Sequence, residues 1–238
     1  MHLARLLRSA YRRAVPLRLR ERVAESAKLG GARRAVIRSM LTHDDVYDAA
    51  YYAGVVDGPA VASAGLMAST IVEQLSPESV LDVGCGTGAL LAELADQGVA
   101  ITRGLEHSEA GIELCRQRGV AVTPFDLEAR EITSVDETYD VVASMEVAEH
   151  LPAKVADRYV DLLVGRVRPG GWLVFTAATP GQGGLDHVNE QPHEYWIEKL
   201  TRSGLYYDEA RSMAWRSDWI GRVAPWYSAN LMLFQRAR

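Results

Sequence analysis

Cysteine is scarce in this sequence: Cys85 and Cys115 are the only thiols in 238 residues. Two isolated cysteines exclude a disulfide framework and a paired-cysteine zinc site, and they suit a reducing cytoplasm. The sequence also lacks an apolar run of about 18 residues, which argues against a transmembrane helix. We therefore expect a cytoplasmic protein whose length is sufficient to bury the core of one large domain.

Basic residues are few outside the first 40 positions. Residues 1–40 carry a net charge of +9, so the rest of the chain carries −14 within the total of −5. An acidic body is a poor match for nucleic acid, and we expect no nucleic-acid partner. Residues 1–40 are predicted to form a basic amphipathic helical arm, since their apolar side chains follow helical spacing among arginines: Leu3, Leu6, Leu7, Ala10 and Tyr11. Three interpretations of the arm stay open, which are packing on its own body, peripheral membrane or partner contact through residues 1–38, and organellar targeting.

Strand-like and helix-like segments alternate from Ser79 onward, which predicts a mostly parallel sheet with helices on both faces. Strands are predicted at 79–84, 101–106, 120–127, 139–145 and 172–180, with closing strands at 205–214 and 228–236. Helices are predicted at 89–98, 109–119, 153–167 and 195–203. Residues 41–78 are predicted to form a helical cap, broken at Gly58-Pro59, ahead of one domain at residues 79–238.

The segment "VLDVGCGTGAL" (80–90) reads as a strand, a glycine loop and the start of a helix. Gly84, Gly86 and Gly88 let the backbone adopt positive φ and approach a ligand, and the helix N-terminus offers free N–H groups. The spacing is GxGxG, whereas a dinucleotide-binding loop has the spacing GxGxxG. Asp82, Glu106 and Asp126 mark the ends of the first three predicted strands, where ligands bind in open α/β sheets.

In this order and spacing, "LDVGCGTG", "GLEHS", "DL" and "YDVVASMEVAEHL" resemble a class I S-adenosylmethionine-dependent methyltransferase. The resemblance implies a Rossmann-like α/β fold with a seven-stranded, mostly parallel sheet, and S-adenosyl-L-methionine as cofactor. It implies that the glycines shape the methionine side of the pocket, that Glu106 holds the ribose, and that Ser144 or Met145 lies near the methyl donor. The implied cofactor-binding residues are Asp82, Gly84, Gly86, Gly88, Glu106, His107, Asp126, Leu127, Ser144 and Met145.

The stretch "MEVAEHLP" (145–152) places two carboxylates and an imidazole within five positions. One helical turn would bring Glu146, Glu149 and His150 onto one face, and carboxylates so close repel unless one is protonated or a cation lies between them. Three interpretations stay open: a polar loop at the mouth of the cleft, a metal site, and a histidine general base oriented by a carboxylate.

The pattern E-x-x-E-H is similar to that of ubiquinone-pathway O-methyltransferases and small-RNA 2′-O-methyltransferases. That resemblance implies that Glu146, Glu149 and His150 are metal ligands, with a later histidine as the fourth. His187 is favoured over His193 for this position, because Asp186 and Asn189 flank it. The implied metal is a divalent ion, Mg²⁺ or Mn²⁺. In the competing interpretation, His150 or His187 is the catalytic base.

Aromatic residues concentrate between positions 195 and 227, and we expect two or three of them to line a pocket. Gly181, Gly183 and Gly184 are predicted to make the preceding loop a lid. The segment "DHVNEQPHEYW" (186–196) resembles bacterial methyltransferases that act on glycans. We therefore predict O-methylation of a sugar, an oligosaccharide or another polyhydroxylated small molecule. The alternatives are a phenolic or quinone-type lipid acceptor and a non-enzymatic cofactor-binding module, and a homodimer is the default oligomer.

Overall fold

The computed structural model describes residues 47–129 and 137–238. The predicted basic arm at residues 1–40, with the membrane contact assigned to residues 1–38, lies outside the described residues. The beginning of the predicted cap, up to residue 46, lies outside them as well. The described part of the chain is an α/β arrangement in which helices cover both faces of one sheet.

Within the described residues, seven strands form the sheet: β1 (Ser79–Val83), β2 (Ile101–Glu106), β3 (Val122–Pro124), β4 (Tyr139–Met145), β5 (Val167–Thr176), β6 (Leu205–Tyr207) and β7 (Met232–Arg236). Their order across the sheet is β3-β2-β1-β4-β5-β7-β6. Neighbouring strands among β1 to β5 pair in parallel, whereas β7 is antiparallel to both β5 and β6. The expected seven-stranded, mostly parallel sheet is confirmed.

The helices on either side of the sheet are α1 (Ala49–Leu75), α2 (Ala89–Asp96), α3 (Glu109–Gln117), α4 (Ala156–Arg166), α5 (His193–Arg202), α6 (Glu209–Trp219) and α7 (Pro225–Asn230). Helix α1 includes a π-helical turn at Tyr52–Val56. Two single 3₁₀ turns, Ala148–His150 and Ala153–Val155, connect β4 to α4. The first of these turns carries part of the predicted site.

Two apolar layers hold the helices against the sheet. Strand β4 is buried along almost its whole length, as a central strand covered on both faces must be. On one face, Tyr159 of α4 and Trp196 of α5 pack with Phe175 of β5. On the other face, Ile71 of α1 and Trp219 of α6 belong to the second core cluster. Each such buried side chain stabilises the fold by about 1.5–3 kcal/mol.

Helix α1 continues through Gly58 and Pro59, so the predicted break at this position is wrong. The π-helical turn ends at Val56, and the α-helical stretch Asp57–Leu75 follows directly. Pro59 therefore lies inside α1, shortly after the π-helical turn, and the helix passes through it without a break.

By length and composition, α1 is able to cross a membrane, since its most apolar window has a mean hydropathy of 1.4 with 33% of that window buried. A core helix of an α/β domain meets the same criteria. Met67, Ala68 and Ile71 of α1 are at most 3% exposed and belong to the core cluster on this face of the sheet. The described helix is therefore packed as a core element along these residues.

The region after β5 differs most from the prediction. The strand predicted at 205–214 is wrong beyond Tyr207, because α6 begins at Glu209. The strand predicted at 228–236 begins at Met232, and α7 occupies the residues before it. The predicted strand 120–127 is limited to Val122–Pro124. The "RPGG" segment belongs to β5, since Val167 pairs with Tyr139 before the register shifts.

Candidate active site

A cavity of about 590 Å³ opens at the carboxyl ends of β1, β2 and β4. Its volume is in the range of small-molecule sites. All predicted site residues except Gly88 and Ser144 line it: Asp82, Gly84, Gly86, Glu106, His107, Asp126, Leu127, Met145, Glu146, Glu149, His150 and His187. The sheet topology thus brings predicted residues from five segments of the chain into one cavity.

The glycine loop lies at the base of this cavity. Gly84 and Gly86 have φ values of 77° and 56°, and a Cβ at Gly84 would lie 2.5 Å from Val147 Cγ2. Gly88 has a different part in the loop. It is the N-cap of α2 with a φ of 73°, and a Cβ there would lie 2.9 Å from Cys115 Sγ. Gly84 and Gly86 therefore shape the cavity wall, whereas Gly88 permits α3 to pack closely.

Both cysteines lie beside this loop as free thiols. The Sγ atoms of Cys85 and Cys115 are 3.7 Å apart, and both side chains are buried. The contact with Cys115, together with burial, raises the pKa of the Cys85 thiol well above its ordinary value. The expected absence of a disulfide agrees with this geometry, and a protonated buried thiol is a poor nucleophile.

Glu106 ends β2 with its carboxylate enclosed by backbone N–H donors. Its Oε2 accepts from Gly86 N at 2.8 Å, and its Oε1 accepts from His107 N and Ser108 N, each at 2.8 Å. The Tyr52 hydroxyl of α1 lies 3.5 Å from the same oxygen. Burial raises the pKa of Glu106, although the backbone donors act in the opposite direction. The side chain is therefore fixed in one orientation at the cavity wall.

Asp82 occupies the end of β1 and is 4% exposed. Its Oδ1 has no hydrogen-bond partner among the described residues. Burial, together with the charge of Glu106, raises the pKa of Asp82 to about 7. A buried acid with an unpartnered oxygen is suited to a cationic ligand, since a positive charge beside it would favour the ionised form.

Ser144 does not contact the cavity, in contrast to its predicted place near the methyl donor. Its hydroxyl donates to the Val83 carbonyl at 2.7 Å and is 2.6 Å from the Tyr159 hydroxyl, inside the core. Successive side chains of a strand point to opposite faces, so Ser144 and Met145 cannot both line the same wall. Met145 is the one that lines the cavity.

Glu146 follows β4 in a left-handed conformation, with a φ of 56°. Its N–H donates to Thr176 Oγ1 at 2.9 Å. Its carboxylate accepts from Asn230 Nδ2 at 3.0 Å and from Gln182 Nε2 at 3.0 Å. The backbone reversal at Glu146 interrupts the single helical turn that the sequence predicted, and the side chain joins these two amides instead.

Glu149, His150 and His187 form a compact group in which one ligand atom from each residue lies within 4.8 Å of the others. Glu149 is fully buried, and neither of its carboxyl oxygens has a hydrogen-bond partner within residues 47–129 and 137–238. Burial and the charge of Glu146 raise the pKa of Glu149 well above its ordinary range. Glu146 lies outside this three-residue group, although its carboxyl interacts with that of Glu149. The described geometry thus brings ligand atoms of three of the four predicted ligands within 4.8 Å of one another.

Each histidine of this group has a partner at Nδ1. The Tyr47 hydroxyl is 2.8 Å from His150 Nδ1, and Glu190 Oε1 is 2.9 Å from His187 Nδ1. The two rings meet edge to face, with centroids 4.8 Å apart. Although partial burial acts in the opposite direction, hydrogen bonds from His187 and two glycine N–H groups hold the pKa of Glu190 below its ordinary value.

His193, the alternative fourth ligand, lies elsewhere. It begins α5, and its Nδ1 is 3.3 Å from Arg216 Nη2. Burial, together with the positive charge of Arg216, lowers the pKa of His193. The described geometry therefore places His187, and not His193, beside Glu149 and His150.

Several residues of the site were not predicted from the sequence. Three of them contact predicted residues that lie 36 to 103 positions away in the chain: Tyr47 contacts His150, and Gln182 and Asn230 contact Glu146. No local sequence pattern marks contacts of this separation. Glu190 is different, because its i, i+3 spacing from His187 is visible in the sequence. Among the aromatic residues between 195 and 227, Trp226 and Tyr227 line the cavity, while Trp196, Trp215 and Trp219 are buried in the core.

Comparison with known proteins identifies the family to which this chain belongs. Residues 59–221 match the family described as "Methyltransferase domain", which is well over half of the chain. The chain belongs to the class I methyltransferase family. This methyltransferase therefore has the fold and the cofactor loop that its sequence motifs implied.

The curated relatives of this methyltransferase match only part of their own length. A Rhizobium leguminosarum bv. trifolii (strain WSM2304) protein named "Ubiquinone biosynthesis O-methyltransferase" is 36% identical over 102 residues, covering 41% of this chain and 39% of that protein. A protein of the same name from Neisseria meningitidis serogroup C (strain 053442) is 30% identical over 127 residues, covering 51% and 48%. The chain thus spans less than half the length of these relatives.

A solved structure shares the fold of this methyltransferase. The sugar N-methyltransferase KedS8 from Streptoalloteichus sp ATCC 53650 superposes with a TM-score of 0.60 at 17% identity, covering 79% of this chain and 92% of that one. At this identity the similarity establishes the architecture alone.

The residues present fit S-adenosylmethionine, the cofactor of the family. The backbone at Gly84 and Gly86 forms the cavity wall, Glu106 ends β2, and Asp82 has an unpartnered oxygen for a cationic ligand. The Glu149, His150 and His187 group lies in the same cavity. The methyl donor and an acceptor can therefore meet in one cavity.

Proposed function

We propose that the chain is an S-adenosylmethionine-dependent O-methyltransferase that acts on a hydroxyl of a sugar or another polyhydroxylated small molecule. The observation that supports this most directly is the group of Glu149, His150 and His187, with Glu149 buried and both histidines partly buried, in the cavity of the glycine loop. The names of the relatives, which are O-methyltransferases, support oxygen as the acceptor atom.

We also propose that a divalent metal ion binds at Glu149, His150 and His187. The fit rests on Glu149, which is fully buried without a hydrogen-bond partner among the described residues, because an isolated buried carboxylate is costly unless it is protonated or paired with a cation. One carboxylate and two imidazoles suit Mn²⁺ better than Mg²⁺. When bound, such an ion would hold a pair of acceptor hydroxyls and lower their pKa.

The chain's own residues would contribute mainly by positioning. Trp226 and Tyr227 line the cavity with Glu146 and Gln182, and these side chains offer an aromatic surface beside polar groups for a sugar ring. Methyl transfer needs little acid catalysis, because the sulfonium leaves as a neutral thioether. Holding the acceptor oxygen in line with the methyl group would therefore supply much of the rate.

A second candidate is O-methylation of a phenolic or quinone-type lipid, with His150 or His187 as general base. The names of the ubiquinone-pathway relatives and the exposed apolar residues Val55 and Val61 of α1 favour it. A non-enzymatic cofactor-binding module would not need the Glu149 group. A cytoplasmic location, an oligosaccharide acceptor, a homodimer and the absence of a nucleic-acid partner stay parts of the proposal.

Methyl transfer from labelled S-adenosylmethionine tests the proposal. With Mn²⁺ present, we expect transfer to methyl glycosides that carry adjacent hydroxyls and to catechol, and much less to their single-hydroxyl counterparts. Glu149→Gln should lower the rate by about 100-fold or more, since it removes a carboxylate ligand of the ion that would activate the acceptor.

The matched control is Glu194→Gln, which changes an exposed carboxylate outside the cavity. It should keep the wild-type rate. Binding of S-adenosylhomocysteine should be retained in both variants, which establishes that they fold. An equal rate in wild type and Glu149→Gln would contradict the metal-centred proposal, and transfer only to single phenols would favour the lipid candidate.

A further inference from the structure

The loop between β5 and α5 is organised around one carboxylate. Glu190 Oε2 accepts from Gly181 N at 2.8 Å, and Glu190 Oε1 accepts from Gly183 N at 2.7 Å. The same Oε1 is 2.9 Å from His187 Nδ1. One side chain thus joins the glycine segment of the loop to the histidine that faces Glu149 and His150.

The backbone just before Glu190 is hydrogen-bonded to the backbone of Glu149. Val188 N and Asn189 N both donate to the Glu149 carbonyl, at 2.9 and 3.0 Å. These bonds bring the base of the loop beside the 3₁₀ turn that carries Glu149. They leave the orientation of the His187 ring unspecified, because they involve only backbone atoms.

The His187 ring is also packed against glycine. A Cβ built at Gly184 would lie 2.2 Å from His187 Nε2, and Gly184 has a φ of 156°. Gly181 and Gly183 have φ values of 91° and 72°, which other residues rarely adopt. Glycines at these positions therefore favour this arrangement of the loop, and the Glu190 carboxylate accepts hydrogen bonds from two of them.

We propose that Glu190 is a positioning residue that fixes the glycine loop and the His187 imidazole at the acceptor end of the cavity. The carboxylate can only accept, so the Nδ1 of His187 is the donor in this contact, and in the neutral form of the ring Nε2 is then the nitrogen that carries no proton. That nitrogen is the one available to an acceptor hydroxyl or to a metal ion. This proposal rests on the proposed function only for what the oriented Nε2 atom would do, namely contact an acceptor hydroxyl or a metal ion.

The alternative to this positioning role is that Glu190 only stabilises the loop through its bonds to Gly181 N and Gly183 N, with no effect on the His187 ring. Nitrogen-15 NMR of the His187 ring in protein saturated with S-adenosylhomocysteine separates the two, since it needs neither acceptor nor metal. We expect a single Nδ1–H tautomer in the wild type and a mixture in Glu190→Gln. Amide exchange at Gly181 and Gly183 should quicken by about tenfold or more in the variant.

Two further variants make the test specific. Gly184→Ala leaves the Glu190 carboxylate in place but forces the His187 ring to move, so it should disturb the ring signals as Glu190→Gln does. Glu194→Gln, an exposed change on the first turn of α5, should disturb neither the ring nor the glycines. In a working methyl-transfer assay, Glu190→Gln should lower kcat by about 10- to 100-fold with a smaller change in the KM of S-adenosylmethionine.

Unchanged His187 signals in Glu190→Gln would overturn the proposal, whether or not the protein turns over any acceptor. A changed ring tautomer in Glu190→Gln and in Gly184→Ala, with wild-type spectra in Glu194→Gln, would support it. If the tautomer changes but no hydroxyl acceptor is ever methylated, the proposed function fails while the positioning role of Glu190 stands.

Discussion

Asp82 is a buried carboxyl at the end of β1, beside the cofactor loop. It is 4% exposed, one oxygen has no partner among the described residues, and its pKa is raised to about 7. Without cofactor, the folded protein therefore keeps a proton on Asp82 at pH values where the unfolded chain has released it.

This difference predicts how stability depends on pH in the cofactor-free protein. The contribution of Asp82 is fully present below its unfolded pKa of 3.8 and is lost as the pH rises to about 7. At about 1.4 kcal/mol per pKa unit, the unfolding free energy falls by up to about 4 kcal/mol across this window. Asp82→Asn should flatten the decline, as urea unfolding between pH 5 and pH 8 would reveal. Parallel pH profiles for the variant and the wild type would contradict the assignment.

At the same scale, side-chain direction limits what the sequence can predict. Asp82, Glu106 and the glycines were predictable, because a strand end and a GxGxG spacing fix where the backbone lies. Ser144 and Glu146 were not, because their directions depend on strand alternation and on one left-handed φ of 56° at Glu146. Neither quantity is visible in a single sequence.

At the scale of elements, α6 is a helix where the sequence predicted a strand. The predicted strand covered 205–214, and α6 occupies most of that range. The helix begins because Asp208 caps it, accepting from Arg211 N at 2.9 Å, and because Trp215 and Trp219 share one buried face at i, i+4. Both signals were present in the sequence, whereas the length of β6 depended on its pairing with β7 alone.

The cap predicts a measurable effect on stability. Asp208→Ala should lower the unfolding free energy by about 1 kcal/mol, since the first turn of α6 loses its acceptor. For a chain of this size the Tm should fall by about 2–4 °C. Thermal unfolding checks this against Glu209→Ala, an exposed neighbour that provides no cap hydrogen bond to α6. Equal Tm values for the two variants would show that the cap contributes nothing.

At the scale of the whole molecule, the alternation of strands and helices was sufficient to predict the sheet and the edge at which ligands bind. The closing contacts were not predictable, because they join distant parts of the chain. Tyr47 and Tyr52, from the first described helix and the residues before it, reach His150 and Glu106 across the cavity. Such contacts follow from the packing of α1 on the completed sheet, and no local pattern specifies them.

The central claim is that Glu149, His150 and His187 form a metal site inside the cofactor cavity, with Glu146 outside it. It is tested most directly by calorimetric titration of Mn²⁺ and Mg²⁺ into metal-stripped protein saturated with S-adenosylhomocysteine. We expect saturable binding in the wild type, loss in Glu149→Gln, and an affinity within about tenfold of wild type in Glu146→Gln. Absence of saturable binding in the wild type, or equal binding in Glu149→Gln, would contradict the claim.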